Sequence, residues 1–436
     1  MKLNKTCSDL PAYSHPGHAG DTANTREGGD HSVLPLESWL LRKLLDLLGQ
    51  PQIRILLWDG NRHYGPDKGE SAATLVIHNR RALWRLFTNP NLNFGDDYSR
   101  GTLDVEGSLV ELLVAIYQAR VRRNRVNPLE RFLTRGFSRR RDNTLSDSRE
   151  NIQHHYDIGN NFYRLWLDAE LSYTCAYFPT PDASLEQAQI AKMDHVCRKL
   201  ELKPGERVVE AGCGWGSLAR HMALHYGVEV DAYNISHEQV AYARRRANDE
   251  GFADKVRYFE DDYRNTQETD YDAFVSVGML EHVGVRNYRT LGRVIDRVLS
   301  DNGRGLIHSI GKSRPEPTGA WTEKRLFPGG YSPALSEMMD IFQEPGFTVT
   351  DVENLRLHYA HTLENWLQRY EQSIDQVREQ FDEFFVRAWR LYLAASQANF
   401  EAGSLQLYQV LFTRPMKNDS AWTRAHLYRD QSPTPE

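Results

Sequence analysis

The stretch RVVEAGCGWGSLARHM, Arg207 to Met222, runs a short apolar strand into a glycine cluster and then into a helix. In a first strand–turn–helix unit, glycines let the backbone approach a ligand closely while the helix amides face it. The glycines fall at Gly212, Gly214 and Gly216, and Ser217 stands where a dinucleotide fingerprint wants its third glycine. With no cradle for a diphosphate, the turn suits the uncharged sugar and the amino-acid end of S-adenosylmethionine, and NAD-dependent hydride transfer takes second place. Strand–helix packing alone also explains some glycine triplets, so the neighbours decide. Glu210 closes the first strand and can accept from the methionine ammonium. The second strand ends in AYNISHEQ, which places Asn234 and Gln239 near the ribose by topology. The third ends in FEDDY, where Asp262 and Tyr263 stand to receive adenine. Each polar residue alone is more often a cap or a surface group. Together, each at the C-terminal end of its expected strand, they define a cofactor crevice.

The elements that hold these residues follow from periodicity. SLEQAQIAKMDHVCRKLEL reads as a helix opened by a Ser184/Gln187 capping-box spacing. Strands follow at Arg207–Ala211, Val228–Asn234, Val256–Glu260, Ala273–Val277 and Gly305–Ile310, separated by helical stretches. This is the pattern of an open, mostly parallel, Rossmann-like doubly wound α/β sheet with helices on both faces. A long helical region rich in Phe, Trp, Tyr and Leu comes next, and LQLYQVLFT closes the domain as an alternating strand. Ahead of the sheet, LESWLLRKLLDLLG and SLVELLVAIYQARVRR read as helices, the first stopped at Gly49. QIRILLWDG and AATLVIHN read as strands, which makes a small α+β domain. The expected organisation is a disordered tail over 1–32, the α+β domain over 33–119, an arginine-rich linker over 120–150, the catalytic domain over 151–414 and a C-terminal tail over 415–436.

Composition narrows the function further. A net charge of −6 argues against a general nucleic-acid partner. Four cysteines without C-x-x-C pairs indicate neither a zinc knuckle nor a disulfide framework and fit a reducing cytoplasm. No apolar run approaches the ~20 residues that span a bilayer, so any membrane contact is expected from the surface. The linker carries ten arginines between Arg120 and Arg149, interleaved with Leu129, Phe132, Leu133 and Phe137. It reads either as a solvated linker or as an arm on anionic lipid headgroups, where each cation contributes roughly 1 kcal/mol.

The motifs HHYDIGNNFY, SYTCAYF, EAGCGWGSLA, SVGMLEHVG and HSIG occur in this order from His154 onward. Together they resemble the cyclopropane-fatty-acyl-phospholipid synthase family, which includes the mycolic acid cyclopropane synthases, over about His154 to Phe412. The resemblance implies a class I S-adenosylmethionine-dependent methyltransferase fold with helical insertions that form an acyl pocket. It implies methylene transfer to the cis double bond of an unsaturated phospholipid acyl chain, with a bound bicarbonate ion as the base that closes the ring. Carried over by motif, the bicarbonate is held by Cys175, Glu281, His308, the Ile310 amide and Tyr359, while Tyr173 and Thr174 flank the cofactor. The family commonly has threonine at Asn234, glycine at Ala232 and aspartate at Glu210, so a tuned cofactor site is expected.

Taken singly, Cys175 would be a small buried apolar residue, His308 a satisfied core histidine and Tyr359 a packing residue. A carboxylate at Glu281, after a buried strand, needs a partner. His282 beside it suggests a metal pair, but adjacent residues of an extended segment diverge and no third ligand has suitable spacing, so no metal is expected. The implied lipid substrate favours an arginine arm lying on the anionic inner face of the cytoplasmic membrane. The N-terminal domain then serves lipid capture, docking or the pairing of subunits into a homodimer. Two alternatives stand beside cyclopropanation. One is a fatty acyl C-methyltransferase giving a methylene- or methyl-branched chain, and the other a non-catalytic lipid-binding protein with a vestigial cofactor site.

Overall fold

The computed structural model describes residues 32–65, 73–122 and 158–428. The first 31 residues and most of the arginine-rich linker lie outside the described residues, so the tail and arm expectations concern segments with no structural account.

The N-terminal domain begins with helix α1 (Pro35–Leu48). Pro35 supplies a preset φ at the first turn, the Glu37 carboxylate accepts from the Leu34 amide at 2.8 Å, and Gly49 ends the helix at φ +85°. Strands β1 (Arg54–Leu56), β2 (Arg62–Tyr64), β3 (Ala73–Ile77) and β4 (Leu103–Gly107) form a sheet in the order β2-β1-β3-β4, with only β1 and β3 parallel. Between β3 and β4 lie two helices that the periodicity does not announce, α2 (Arg80–Thr88), capped by Asn79, and α3 (Pro90–Ser99). Helix α4 (Leu109–Arg122) runs two residues past Arg120, so the linker begins later than its composition suggests.

The larger domain carries seven strands. These are β5 (Arg207–Ala211), β6 (Glu229–Asn234), β7 (Val256–Glu260), β8 (Tyr271–Val277), β9 (Leu299–Gly311), β10 (Thr348–Asn354) and β11 (Gln406–Thr413). Their order is β10-β11-β9-β8-β5-β6-β7, parallel from β9 to β7 and antiparallel where β11 joins β9 and β10. Helices α5 (Leu185–Lys199), α6 (Ser217–Tyr226), α7 (His237–Asp249) and α8 (Tyr288–Val298) cover the sheet. The expected capping box at α5 is present, with the Ser184 hydroxyl accepting from the Gln187 amide and the Gln187 side chain accepting from the Ser184 amide. Strand β11 departs from its expected alternation, because a strand covered on both faces by helices buries nearly every side chain. The expected tail is also partly a docked element. Arg424 pairs with Asp351, Arg198 donates to the Leu427 carbonyl at 3.2 Å, and Leu427 is buried.

Helices α9 (Arg356–Gln372) and α10 (Glu383–Glu401) pack on one another and wall the strand ends. An aromatic cluster fills the space they enclose, with Phe162, Tyr163, Trp166, Trp366, Tyr370 and Trp389 buried in edge-to-face and tilted contacts. Each such pair contributes roughly 0.5–1.5 kcal/mol beyond burial. The opposite side of α10 presents Leu391, Ala394 and Ala398 to the N-terminal domain, so the two domains share this helix in their cores.

Candidate active site

The glycine turn after β5 has the form the sequence implies. Gly212, Gly214 and Gly216 sit at φ +86°, +55° and +80°, the left-handed region. A Cβ on Gly216 would lie 2.5 Å from the Tyr258 hydroxyl, and one on Gly212 would lie 2.9 Å from Met279. A Cβ on Gly214 would meet nothing within 4 Å, so this backbone faces open space at the strand ends. Asn234 ties the crevice together, since its amide donates to Gln239 at 2.8 Å and to the Gly214 carbonyl at 3.2 Å. Its own oxygen accepts from the Ser236 amide.

Glu210 is buried, and its Oε2 has no hydrogen-bond partner among the described residues. Burial raises its pKa to about 7, against the pull of Lys192 and Arg220. Lys192, absent from the sequence expectations, lies on the buried face of α5 and donates to Thr174 at 3.1 Å. Its charge also faces Asp168 and Cys175. The sequence does carry a signal for it, because Ala188, Lys192, Val196 and Lys199 recur at helical spacing and all are buried.

Thr174, expected beside the cofactor, has its methyl group against Gly278 at the end of β8. Tyr173 belongs to the aromatic cluster and bonds Tyr392 of α10 at 2.7 Å. Asp262 and Tyr263, expected near adenine, are engaged by neighbours within the protein. The Asp262 carboxylate is bridged by Arg264, at 2.8 Å through Nε and 2.7 Å through Nη2, and also caps the Arg264 amide. Tyr263 packs into the core beside Tyr233 and Phe274.

The second group of residues gathers where β8, β9 and β11 end. His308 and Ile310, two apart on β9, share one face. Pairing of β8 with β9 sets Val277 opposite His308, and the Gly278 amide donates to the His308 carbonyl at 2.9 Å. The turn after β8 is a short 3-10 helix over Leu280–His282, not an extended segment, and it swings Glu281 back over β9. The Ile310 amide donates to Glu281 Oε1 at 2.6 Å, so the amide assigned to an anion is committed to the carboxylate. Glu281 Oε2 is buried without a partner among the described residues, and so is His308 Nε2. Gln409 on β11 contacts His308 Nδ1 at 3.1 Å. Burial raises Glu281 to about 7 and lowers His308 to about 3, so the imidazole is neutral at ordinary pH.

Cys175 is fully buried, its thiol donates to the Ala176 carbonyl at 3.1 Å, and burial pushes its pKa up. It is no thiolate nucleophile. The Ala176 amide donates to Thr362 of α9, which brings Tyr359 into the cluster that contains Cys175 and against which Ile310 packs. Tyr359 stacks on Phe400 at 4.6 Å and meets Trp366 edge-on. Cys175 and Tyr359 thus share the aromatic cluster against which Ile310 packs, and Ile310 bonds Glu281 and lies two residues from His308. Carboxylate, neutral imidazole, thiol and phenol together can hold a small oxyanion and accept or pass a proton.

Sheet order, glycine turn and strand-end residues define the fold of S-adenosylmethionine-dependent methyltransferases. Within that class the chain belongs to the family described as Mycolic acid cyclopropane synthetase, which matches residues 143–410. Residues 40–124 match a second family, described only as a domain of unknown function. A Probable fatty acid methyltransferase of Pseudomonas putida is 36% identical over 391 residues, 86% of this chain and 96% of that protein. The Cyclopropane-fatty-acyl-phospholipid synthase of Escherichia coli K12 is 39% identical over 265 residues, 61% of this chain and 68% of that protein. Among solved structures, mycolic acid cyclopropane synthase CmaA1 complexed with SAH and CTAB superposes with a TM-score of 0.58 at 29% identity, covering 61% of this chain and 98% of that chain.

Proposed function

We propose that the protein transfers a one-carbon unit from S-adenosylmethionine to the cis double bond of an unsaturated fatty acyl chain of a membrane phospholipid and closes a cyclopropane ring. The observation that carries this reading is the pair of buried atoms Glu281 Oε2 and His308 Nε2, unpartnered among the described residues, at the edge of an aromatic cluster. An alkene is a weak nucleophile, and methylation leaves a carbocation that a nearby nucleophile would quench. The walls provided by Tyr173, Trp166, Trp366 and Tyr359 offer ring faces to a cation and no strong nucleophile.

The donor set fits a bicarbonate ion. Glu281 accepts a hydroxyl hydrogen at Oε2, and His308, with Gln409 donating to Nδ1, presents an N–H at Nε2. When bound, S-adenosylmethionine supplies an electrophilic methyl group and bicarbonate supplies a proton acceptor. Glu281 orients and receives the proton, the Ile310 amide holds its carboxylate, and the Cys175 and Tyr359 side chains close the corner to water. Gly214, Asn234, Gln239 and Glu210 bind and orient the donor.

A methylene- or methyl-branched product is the second reading, favoured by the fatty acid methyltransferase name of the Pseudomonas putida relative that matches nearly the whole chain. Incubating the protein with S-adenosylmethionine, bicarbonate and vesicles of cis-monounsaturated phospholipid separates the two. A one-carbon gain with upfield ring protons by NMR is expected. Vinylidene protons would move the enzyme to the branched-chain reaction. Absence of both donor binding and product would leave a lipid carrier.

A further inference from the structure

The N-terminal domain holds a cavity of about 810 Å³ whose walls include Trp58, His78, Arg80, Arg81, Arg85 and Arg100. The one carboxylate among its lining residues is Asp97. Three buried carboxylates stand behind the arginines and fix them. Arg80 is held by Glu37 at 2.8 Å and by the Ser32 carbonyl at 2.7 Å, and Arg85 donates to both oxygens of Asp97 at 2.8 and 2.9 Å. Arg100 lies 3.7 Å from Asp96 and 3.6 Å from Asp97, and Asp96 is already clasped by Arg325 through two hydrogen bonds. Each guanidinium has five donors, and one carboxylate occupies at most two of them. Arg81 is exposed and makes no ion pair among the described residues. The result is a set of arginines oriented from beneath, with donors left over toward the cavity, in a protein whose overall charge is −6.

We infer that this cavity binds the phosphate of a phospholipid headgroup and so seats the lipid whose acyl chain enters the active site. Planar, pre-oriented guanidiniums match phosphate oxygens in pairs, and a burial-anchored set loses little freedom on binding. His78, bonded to Asp104 at 3.0 Å, stands at the rim. The surroundings favour a lipid over a soluble phosphate ester. Trp84 projects to solvent from α2 one turn beyond Arg80 and Arg81, and Leu36, next to the Glu37 that holds Arg80, is exposed on α1. Large apolar side chains beside a cationic pocket are the composition of a surface that rests in the headgroup layer. The inference rests on the phospholipid substrate proposed above.

The test uses the full-length protein and the variants Arg81→Gln and Arg81→Gln/Arg100→Gln. The single substitution breaks no ion pair, so it keeps the question open if the double variant fails to fold. Binding of glycerol 3-phosphate is read by calorimetry, binding of phosphatidylglycerol vesicles by co-sedimentation, and turnover on the same vesicles and on detergent-dispersed unsaturated free fatty acid. The variants are expected to lose at least ~10-fold in glycerol 3-phosphate affinity and to raise KM for the phospholipid by a similar factor. Their kcat and their KM for the free fatty acid stay unchanged. Unaltered phospholipid KM and vesicle binding in both variants would overturn the inference. Loss of glycerol 3-phosphate binding alone would also overturn it, by assigning the pocket to a soluble phosphate ester. If the wild type turns over no lipid, the catalytic reading falls, and weaker vesicle binding by the variants still upholds the headgroup site.

Discussion

Replacing Glu281 with glutamine removes one ionisation and little else. The amide oxygen of the new side chain can still accept from the Ile310 amide, as Glu281 Oε1 does at 2.6 Å. In the native protein burial raises the Glu281 pKa from 4.5 to about 7. Below pH 4.5 the carboxyl is protonated whether the chain is folded or not. Between 4.5 and 7 the unfolded chain releases a proton that the native state retains, so native stability falls as pH rises. At 1.36 kcal/mol per pKa unit the loss is on the order of 3 kcal/mol, complete above about pH 7. The Glu281→Gln variant lacks this loss. Its melting temperature is expected to match the wild type near pH 4.5 and to exceed it by several degrees at about pH 8. Turnover moves the opposite way, falling by at least ~100-fold as for loss of a positioned proton-transfer group, while donor affinity holds. Wild-type activity should also decline as pH drops through about 7, where the carboxylate is lost. Thermal melts at the two pH values, calorimetric titration with S-adenosylmethionine and a product assay together decide the matter. Unchanged turnover, or a melting gap that does not widen with pH, would refute the assignment.

Three further outcomes follow from the geometry. Lys192→Met removes a buried cation that faces Asp168 and Glu210, together with its bond to Thr174, and is expected to lower the melting temperature and to weaken S-adenosylmethionine binding at least ~10-fold, read by melting and calorimetry. Gly214→Ala has room for its methyl group and a left-handed strain of about 1–2 kcal/mol, so it should fold yet lose donor affinity, whereas Gly216→Ala collides with Tyr258 and should lower the melting temperature most. Replacing several arginines between Arg120 and Arg149 with glutamine should weaken binding to anionic vesicles, steeply at low salt; indifference to salt would exclude the arm from docking.

The parts of the molecule legible in the sequence are those where one local rule decides. Glycine spacing at 212–216, the Ser184 cap and the ends of β5 to β8 each follow from a few adjacent residues. Strand β10 escapes the periodicity because it lies at the sheet edge and mixes Thr, Asp, Glu and Asn into a weak alternation. The arginine that bridges Asp262 stands two residues on, and an acidic residue at a strand end does not reveal such a partner by spacing alone. The gathering of Cys175, Glu281, His308, Ile310 and Tyr359 depends on strand order and on a turn, which no spacing reveals. Only resemblance to a family places them together. Lys192 has a helical signal, but a lysine in a buried phase reads as noise until its carboxylate neighbours are known.

Helix α10 is held in common by two interiors, and this decides how the chain can be divided. Its Trp389, Leu393 and Phe400 belong to the aromatic wall of the active site, while Leu391, Ala394 and Ala398 are covered by the N-terminal domain. Arg387 reaches further, donating to the Tyr98 and Leu103 carbonyls and to Asp104. A fragment starting at residue 158 would carry this helix with one flank stripped and a guanidinium robbed of its acceptors. The small domain is in that sense a missing layer of the large one, and a gene cut at the linker would yield an enzyme with an open seam rather than two independent proteins.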